Sequence, residues 1–316
     1  MNTPKFIDSH AHMQFSSYDE DRSLVIQRAL DAGIWMVNSG SNSITSEGAV
    51  KLAEKYKEGV YATVGIHPSH TTNNSQPTTH NSQLSKNNPT TNSQQLIHNS
   101  QPIDQNLQKE ELGEDSGVED FDKEKMRALA AHPKCVAIGE CGLEYFSDDI
   151  SEAEKEGQRE MFVSHINLSY EINKPLVIHC RNAYRDTADV LQENADKLIT
   201  GRPGLMHFFS GTEDEAREFL EMGFVFSFGG ATTFPYKPGR TDFASVIRML
   251  PLRAILLETD CPYVAPAPFR GKRNEPLYVT EIAKKVAEIR DVSLSQLAEV
   301  TTDNAMKLFA IGEASG

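Results

Sequence analysis

Four histidines and two acidic residues follow apolar stretches of the chain and have the side chains that bind divalent metal ions. They are His10, His12, Glu140, His179, His207 and Asp260. Imidazole and carboxylate groups suit several divalent ions, and such a site needs no thiolate. If these side chains converge in the fold, their chemistry predicts a metal-dependent hydrolase.

His10 and His12 are the only pair of these residues that are close in the sequence, in the stretch Phe6-Ile7-Asp8-Ser9-His10-Ala11-His12. Residues two apart in an extended segment point to the same side, so both imidazoles can reach one ion. A His-x-His pair alone is only moderately specific for metal. The positions of the other four residues strengthen the prediction.

Glu140, His179, His207 and Asp260 each follow an apolar run rich in β-forming residues. Eight such runs alternate with helical patterns, which predicts a single-domain (β/α)8 TIM-type barrel. The predicted strands are Lys5–Asp8, Trp35–Ser39, Val60–Ile66, Val136–Glu140, Leu176–His179, Gly204–Phe208, Phe224–Phe228 and Ala254–Glu258. Polar residues at the carboxyl ends of such strands meet at the mouth of the barrel. The fold therefore predicts one converging site.

The helical patterns between these runs predict the outer ring of the barrel. The predicted helices are Asp21–Ala32, Ile44–Lys57, Phe121–Ala131, Ser151–Ile172, Tyr184–Asn194, Glu213–Glu221, Asp242–Met249, Pro276–Arg290 and Leu294–Phe309. The barrel domain is expected to cover residues 1–312.

Residues 70–118 differ in composition from the rest of the chain. Asn-Ser-Gln recurs at positions 74, 81, 92 and 99, apolar residues are sparse, and the segment ends in an acidic stretch. Such a segment cannot bury enough surface to offset its ordering entropy, so we expect a disordered insertion in the loop after strand 3. His70, His80 and His98 are expected to be solvated loop residues.

The overall composition limits the possible partners and locations. The 316 residues carry a net charge of −14, which argues against a broad basic groove for long nucleic acid. The four cysteines form no CxxC pair and are expected to be buried free thiols. No apolar run is long enough to span a membrane. The first residues lack the pattern of a signal peptide, so a cytoplasmic location is expected.

Glu140 is the residue best placed to bridge two ions. In that arrangement His10, His12 and Asp260 serve one ion, and His179 and His207 serve the other. Two ions a few ångströms apart can lower the pKa of a bound water and neutralise charge on a phosphoryl oxygen. Asp260 is then placed to orient the water and accept its proton. These ligands accept Mg²⁺, Mn²⁺ or Zn²⁺.

The order of the motifs resembles that of the TatD family of metal-dependent deoxyribonucleases, within the amidohydrolase-like barrels. The matching motifs are Ile7-Asp8-Ser9-His10-Ala11-His12, Gly65-Ile66-His67-Pro68, Ile138-Gly139-Glu140-Cys141-Gly142-Leu143, Ile178-His179-Cys180-Arg181, His207-Phe208-Phe209-Ser210-Gly211, Leu257-Glu258-Thr259-Asp260-Cys261-Pro262 and Arg273-Asn274-Glu275-Pro276. The resemblance implies the two-metal assignment, with Asp260 as the water-activating residue. It also implies hydrolysis of ester bonds in DNA, often from a strand end, so DNA ends or short single strands are the expected substrate.

The chain departs from the family pattern at three places. Glu144 stands where the family usually has Asp, and Phe208 replaces the commoner Cys after the sixth-strand His. The first departure changes the rim of the site and the second its packing, while the ligand set stays intact. The insertion at 70–118 is the third departure, and it leaves the size and access of the substrate open.

Several residues beside the ligands are candidates for substrate binding. His67, after strand 3, is expected to contact substrate phosphate or to support a ligand, although a structural His before Pro68 is almost as good an interpretation. Arg181 can hold a phosphate oxygen in a forked contact, or form a salt bridge at the rim. A basic stretch follows strand 8 and is expected to position a nucleic-acid backbone, or to be a solvated loop. It contains Arg270, Lys272, Arg273 and Asn274.

Two other functions remain open at this point. The first is hydrolysis of a small ester, lactone, amide or phosphotriester on the same type of barrel. Many enzymes of that wider group hold their metals with a modified Lys at strand 4, where this chain has Glu140, so the sequence favours the nuclease. The second is a non-enzymatic metal-binding scaffold whose insertion recruits a partner. An intact set of six converging ligands argues against it.

Overall fold

The architecture is a closed barrel of eight parallel strands in a computed structural model that describes residues 3–71, 118–147 and 149–312. The strands are β1 (Phe6–Ala11), β2 (Ile34–Ser39), β3 (Val60–Val64), β4 (Cys135–Glu144), β5 (Leu176–Arg181), β6 (Gly204–Met206), β7 (Val225–Phe228) and β8 (Ile255–Leu257). They pair in sequence order, and β1 closes the barrel by pairing with β8 through Asp8 and Leu257. The predicted TIM-type fold is therefore confirmed.

Helices follow most strands and surround the barrel. Those in the described part of the chain are α1 (Arg22–Asp31), α2 (Ser43–Glu54), α3 (Lys123–Ala130), α4 (Glu152–Ile172), α5 (Tyr184–Glu193), α6 (Glu213–Glu221), α7 (Phe243–Met249), α8 (Val279–Arg290) and α9 (Leu294–Phe309). The predicted start of α8 at Pro276 was wrong, because Pro276–Tyr278 forms a 3₁₀ turn before it. None of the described helices is long and apolar enough to cross a membrane.

Local sequence signals explain where several helices begin. Helices α2, α4 and α6 each begin with a capping box. In a capping box the side chain of the residue before the helix accepts the amide of the third helical residue, and the side chain of that third residue accepts the amide of the first. The pairs are Asn42 with Thr45, Ser151 with Glu154, and Thr212 with Glu215. Each box satisfies two amide groups that a helix start would otherwise leave unpaired. These caps fix the points at which the chain leaves the mouth of the barrel.

Helix α9 packs at the end of β1 opposite to its histidines. Leu308 and Phe309 belong to a buried cluster with strand residues such as Ile7 and Val177. The Thr302 hydroxyl donates to the carbonyl of Lys5, just before β1. Apolar contacts thus stabilise the amino-terminal end of the strand, which leaves its carboxyl-terminal end for polar groups.

The two ends of the predicted insertion meet on the structure. Thr71 pairs with Glu119 in a parallel bridge, and the Glu119 amide donates to the His70 carbonyl at 2.8 Å. The expectation that His70 is solvated was wrong: the side chain is buried in a 3₁₀ turn over Pro68–His70. Positions 72–117, including His80 and His98, lie outside the described residues, so the disordered insertion stays a prediction.

Candidate metal centre

The six predicted ligands come from five strand ends and meet at the mouth of the barrel. His10, Glu140 and His179 lie within β1, β4 and β5, while His12 and His207 follow β1 and β6 by one residue. Asp260 lies three residues beyond β8. The side chains of His10, His12, Glu140 and His207 are buried, and those of His179 and Asp260 are partly exposed. The structure thus brings together every residue of the predicted set.

Glu140 lies at the centre of this group. Its Oε2 atom is 3.3 Å from His10 Nε2 and 4.0 Å from His12 Nε2. Its Oε1 atom is 3.0 Å from His179 Nδ1 and 3.2 Å from His207 Nε2. Each carboxylate oxygen therefore faces a different pair of imidazoles.

Asp260 lies beside the first of these pairs. Its Oδ1 atom is 3.4 Å from His12 Nε2 and 3.9 Å from His10 Nε2. The residue has a left-handed backbone with φ of 54°, an uncommon conformation for a non-glycine residue that tertiary contacts must hold. One such contact is the Asp260 amide, which donates to the His10 carbonyl at 2.9 Å. The side chain keeps 17% of its surface exposed, so solvent can reach it.

Hydrogen bonds on the outer side of the imidazoles determine which ring nitrogens face inward. His12 Nδ1 lies 2.8 Å from the Ser39 carbonyl and His207 Nδ1 lies 3.1 Å from Glu258 Oε2. A carbonyl or carboxylate oxygen only accepts, so both Nδ1 atoms carry a proton, and a metal ion bound at the centre would take the lone pairs of the two Nε2 atoms. This is the arrangement that metal-ligating histidines use.

Glu258 is a supporting residue that the sequence interpretation missed. It is fully buried and accepts bonds from the Phe208 amide at 2.6 Å and the Ser227 hydroxyl at 2.5 Å, in addition to His207. His10, His207 and Glu258 bring ligand-type atoms within 4.8 Å of one another. Because the Glu258 oxygens already accept three bonds, we assign it to orienting His207. Its signal in the sequence was a carboxylate directly after the apolar run Ile255–Leu257.

Glu144 contacts the outer nitrogen of His179. Its Oε2 atom lies 2.9 Å from His179 Nε2, and its Oε1 atom accepts the Phe146 amide at 2.9 Å. The expectation was that this departure from the family pattern changes only the rim of the site. The structure shows that the side chain also orients His179, so that Nδ1 faces Glu140.

Burial and mutual charge shift the pKa values of these groups in opposite directions. Burial opposes ionisation of Glu140, but His207 and His10 outweigh it and hold the pKa of the carboxyl well below its usual range. Burial likewise opposes protonation of His179, while Glu140 and Glu144 raise its pKa to about 9. Burial and the charge of His207 lower the pKa of His10 to about 4. A carboxylate surrounded by imidazoles is a donor set that fits divalent cations.

His67 lies beside the second imidazole pair, with its Nε2 atom 3.8 Å from Glu140 Oε1. His67, Glu140 and His179 form another group with ligand-type atoms within 4.8 Å. However, the backbone amide of Ser69 donates to His67 Nδ1 at 3.2 Å, so the neutral ring carries its proton on Nε2. That nitrogen is buried and has no hydrogen-bond partner in the described part of the chain. It is a donor directed at the site.

The other predicted substrate-binding residues do not form one patch. The Arg181 guanidinium lies over the Phe146 ring, 3.9 Å from its centroid, at the rim. Arg273 donates to the Ser17 carbonyl at 2.5 Å and to Asp21 at 2.6 Å. Asn274 is fully buried and donates to the carbonyls of Thr259 and Tyr263 at 2.8 and 2.6 Å. The Asn274 amide thus supports the Asp260 loop, and a substrate contact of Asn274 stays a prediction.

The four cysteines are free and buried, as expected. Burial raises the pKa of each thiol, for example that of Cys135 to about 11. None of them belongs to the groups of ligand-type side chains found among the described residues.

A parallel barrel with imidazoles and carboxylates at its carboxyl-terminal mouth defines the class of metal-dependent hydrolases. A family model described as TatD related DNase matches residues 7–310. The uncharacterized metal-dependent hydrolase YabD of Bacillus subtilis (strain 168) is 34% identical over 305 residues, which cover 96% of this chain and 98% of the relative. The chain belongs to the family of TatD-related DNases and acts as a metal-dependent hydrolase on ester bonds.

Two further relatives agree with this family. The protein named 3'-5' ssDNA/RNA exonuclease TatD of Pantoea ananatis (strain LMG 20103) is 28% identical over 309 residues, with 96% of this chain and 99% of the relative covered. The solved structure of YJJV, a TatD homolog from Escherichia coli K12, covers 98% of this chain and 100% of its own, with a TM-score of 0.75 and 24% identity. The structural likeness supports the fold.

Proposed function

We propose that this protein is a deoxyribonuclease that hydrolyses phosphodiester bonds of DNA with two divalent metal ions. The observation that carries the proposal is the orientation of Glu140, whose two oxygens face two separate pairs of imidazoles. His10, His12 and Asp260 would hold one ion, His179 and His207 the other, and Glu140 would bridge them. Mg²⁺, Mn²⁺ and Zn²⁺ all suit these ligands.

The bound ions would supply Lewis-acid polarisation of a phosphoryl oxygen and a lowered pKa for the attacking water. Asp260 orients that water and accepts its proton, a role that its partial exposure and its position beside His12 support. The water oxygen then bonds to phosphorus, and the ester bond to the leaving sugar oxygen breaks. That oxygen takes up a proton from solvent as the product leaves.

His67 binds the substrate in this proposal. Burial lowers its pKa well below the usual value, so the ring is neutral, and its Nε2 proton has no partner within the described residues. A neutral donor beside a bridging carboxylate suits a nonbridging phosphate oxygen of the substrate. Arg181, at the rim, remains a predicted phosphate contact.

The substrate in this proposal is a DNA end or a short single strand. The net charge of −14 disfavours long backbone contacts, and the Pantoea relative is named as an exonuclease on single-stranded DNA and RNA. A cytoplasmic location remains the prediction that accompanies this function.

The test is a cleavage assay on several substrates. Purified protein is incubated with single-stranded DNA, single-stranded RNA, a chromogenic phosphodiester and a lactone, with Mg²⁺, Mn²⁺ or Zn²⁺ and after chelation. Removing a transition-state proton acceptor costs about 10²–10⁴ in rate, so Asp260→Ala should lose that much on DNA. Asp196→Ala, an exposed carboxylate beyond α5, is the matched control and should keep full activity.

Three outcomes would contradict the proposal. They are DNA cleavage that survives chelation, equal cleavage by intact and Asp260→Ala protein, and turnover of the lactone alone. The last result would assign the barrel to small-molecule hydrolysis instead.

A further inference from the structure

A cleft of about 330 Å³ lies on the outer side of the barrel, beside the mouth. Its walls are the loop between β7 and α7, the helices α7 and α8, and Arg270 from the loop after β8. We call it the basic cleft, because its lining includes Lys237, Arg240, Arg248, Arg270 and Lys285. Its volume falls in the range of pockets that bind small ligands, at the size of about one nucleotide.

The charge of the basic cleft is opposite to that of the whole chain. Five cationic side chains line it in a protein with a net charge of −14. Its two carboxylates already have partners: Glu288 bonds to Lys285 at 2.8 Å, and Asp242 accepts the Ser245 amide at the start of α7. Among the described residues, no carboxylate lies within ion-pair distance of Lys237, Arg240 or Arg248. The cleft therefore attracts anions.

Aromatic rings accompany these cations. Phe234 lies under the Arg270 guanidinium, with 4.5 Å between the guanidinium carbon and the ring centroid. Tyr236 keeps 61% of its surface exposed, a large fraction for an aromatic residue, and Phe243 also lines the cleft. Cations that track a backbone, together with aromatic faces on which bases stack, are the features of single-strand nucleic-acid binding.

A short path of contacting residues connects the basic cleft to the metal centre. Phe208 follows the ligand His207, and its ring lies against Gly229, where an added Cβ would be 2.7 Å from Phe208 Cε2. From Gly229 the loop continues to Phe234 in the cleft. The Ala267 amide donates to the Thr233 hydroxyl at 2.7 Å, which ties this loop to the one that carries Asp260. The loop that lines the cleft is thus in contact with the residue that follows His207 and bonded to the loop that carries Asp260.

We propose that the basic cleft binds a nucleotide of the substrate strand that lies outside the scissile bond. The base stacks on the exposed ring of Tyr236, and Arg240 and Arg248 contact the flanking phosphates. This proposal rests on the proposed function, since it assumes a single-stranded substrate. It explains how an acidic protein holds a polyanion, through one local patch beside the site.

The test compares Arg240→Gln/Arg248→Gln with a control, Lys57→Gln/Arg253→Gln, which removes the same charge before β3 and β8, at the opposite end of the barrel. Loss of two charged contacts should raise KM for a ten-nucleotide strand about tenfold, with kcat unchanged. The slope of log KM against log salt should become shallower by about 1.4, since each phosphate contact contributes about 0.7. Hydrolysis of the chromogenic phosphodiester should not change, because it is too short to reach the cleft.

A third variant, Tyr236→Leu, separates stacking from charge. It should raise KM for the strand about tenfold and leave the salt slope unchanged, since stacking releases no counterions. Thermal unfolding of each variant checks that the fold is retained.

The outcomes distinguish this proposal from the proposed function. Active variants with wild-type KM and salt slope would overturn the basic cleft and leave the nuclease assignment standing. If the intact protein cleaves no DNA, fluorescence anisotropy of the labelled strand, measured in chelator, still tests the cleft. Equal affinity of the Arg240→Gln/Arg248→Gln and control proteins there would overturn it.

Discussion

Glu258 illustrates how a residue that touches no substrate can control a metal site. It is fully buried, and its oxygens accept bonds from a ring nitrogen, a backbone amide and a hydroxyl. These bonds fix the ring of His207 with its Nε2 atom directed at Glu140. Orienting groups of this kind change metal affinity without binding the ion.

Glu258→Gln should weaken metal binding about 10- to 100-fold. The carboxylate now accepts hydrogen bonds from three donors. In the variant the amide NH₂ group, itself a donor, would face one of them, so the His207 ring loses its fixed orientation. Titration of the metal-free protein with Zn²⁺ against a chromogenic chelator measures the loss. Glu160→Gln, an exposed change on α4, serves as the control. Equal affinities would contradict the orienting role.

The ligands could be predicted from the sequence because they combine a residue type with a strand-end position. Neither signal exists for Asn274, whose role depends on partners distant in the sequence. The Asn274 amide bonds to carbonyls at 259 and 263, and the tautomer of His67 depends on one backbone amide. Such roles follow from three-dimensional contacts.

At the scale of elements, β4 and β5 approach one another closely beside the metal centre. Gly142 has a φ of 135°, and a Cβ there would lie 2.0 Å from the carbonyl oxygen of His179. Only glycine suits both the conformation and the space. The pairing of these two strands sets the position of His179 relative to Glu140.

Gly142→Ala should destabilise the protein by about 2–4 kcal/mol, because the added methyl group forces the two strands apart. Gly48→Ala is the matched control: it lies inside α2, and its Cβ would meet Gln14 at an ordinary 3.6 Å. That change should stabilise the protein by about 1 kcal/mol. Denaturant unfolding in chelator measures both values, and equal effects would contradict the argument.

His165 on α4 anchors the chain that leads to His67. Its Nε2 atom accepts the Ile66 amide at 2.9 Å, and its Nδ1 atom donates to the Met161 carbonyl at 2.7 Å. Burial lowers its pKa to about 4 from the usual 6.5. The folded protein therefore holds this ring neutral at a pH where the unfolded chain binds a proton.

This difference makes stability fall as the pH falls from 6.5 to 4. In that window the unfolded state binds more protons, and the loss reaches about 3 kcal/mol. His165→Gln keeps an acceptor for the Ile66 amide but does not titrate. Unfolding free energies measured across the window should therefore fall more steeply for the wild type than for the variant. Parallel curves would refute the assignment.

The order and type of the elements could be predicted from hydrophobic patterning, whereas their ends could not. β6 stops at Met206 and β8 at Leu257, short of their predicted ends at Phe208 and Glu258. Beyond these ends Phe208 and Asp260 have left-handed backbones, with φ of 43° and 54°, which an extended strand does not contain. Tertiary contacts determine where a strand ends at a functional site.

At the scale of the molecule, the barrel closes without residues 72–117. The bridge between Thr71 and Glu119 joins the flanking segments, and the Glu119 carboxylate accepts the Ser43 amide at 2.7 Å. Thr71 and Glu119 lie between β3 and α3, and these contacts complete the third strand–helix unit of the barrel. We therefore predict that the insertion contributes nothing to the fold or to the metal centre.

Deleting residues 72–116 should leave folding and metal binding unchanged. Because the flanking segments run in parallel, the chain must turn back, so a Gly-Ser linker of about 12 residues replaces the deleted part. Thermal unfolding and metal titration of the deletion protein check the prediction. Loss of folding would show that the insertion belongs to the domain.

The basic cleft shows why the whole surface could not be predicted from the sequence. Its cations come from the β7–α7 loop, α7, α8 and the loop after β8, at separations that no local pattern reveals. The sequence instead grouped Arg270 with Arg273, which the fold separates by pairing Arg273 with Asp21. The composition shows that the whole chain is acidic. The cationic side chains of the cleft come together only when the helices pack.

The pairing of Thr71 with Glu119 also has a use in protein engineering. Contacts that do not involve the intervening residues hold Thr71 and Glu119 side by side at the mouth. A guest domain can therefore be inserted between these two positions. A nucleic-acid-binding module grafted there would hold its target next to the catalytic centre. The choice of module would then determine which nucleic-acid strands bind beside the catalytic centre, while the residues of the barrel mouth stay unchanged.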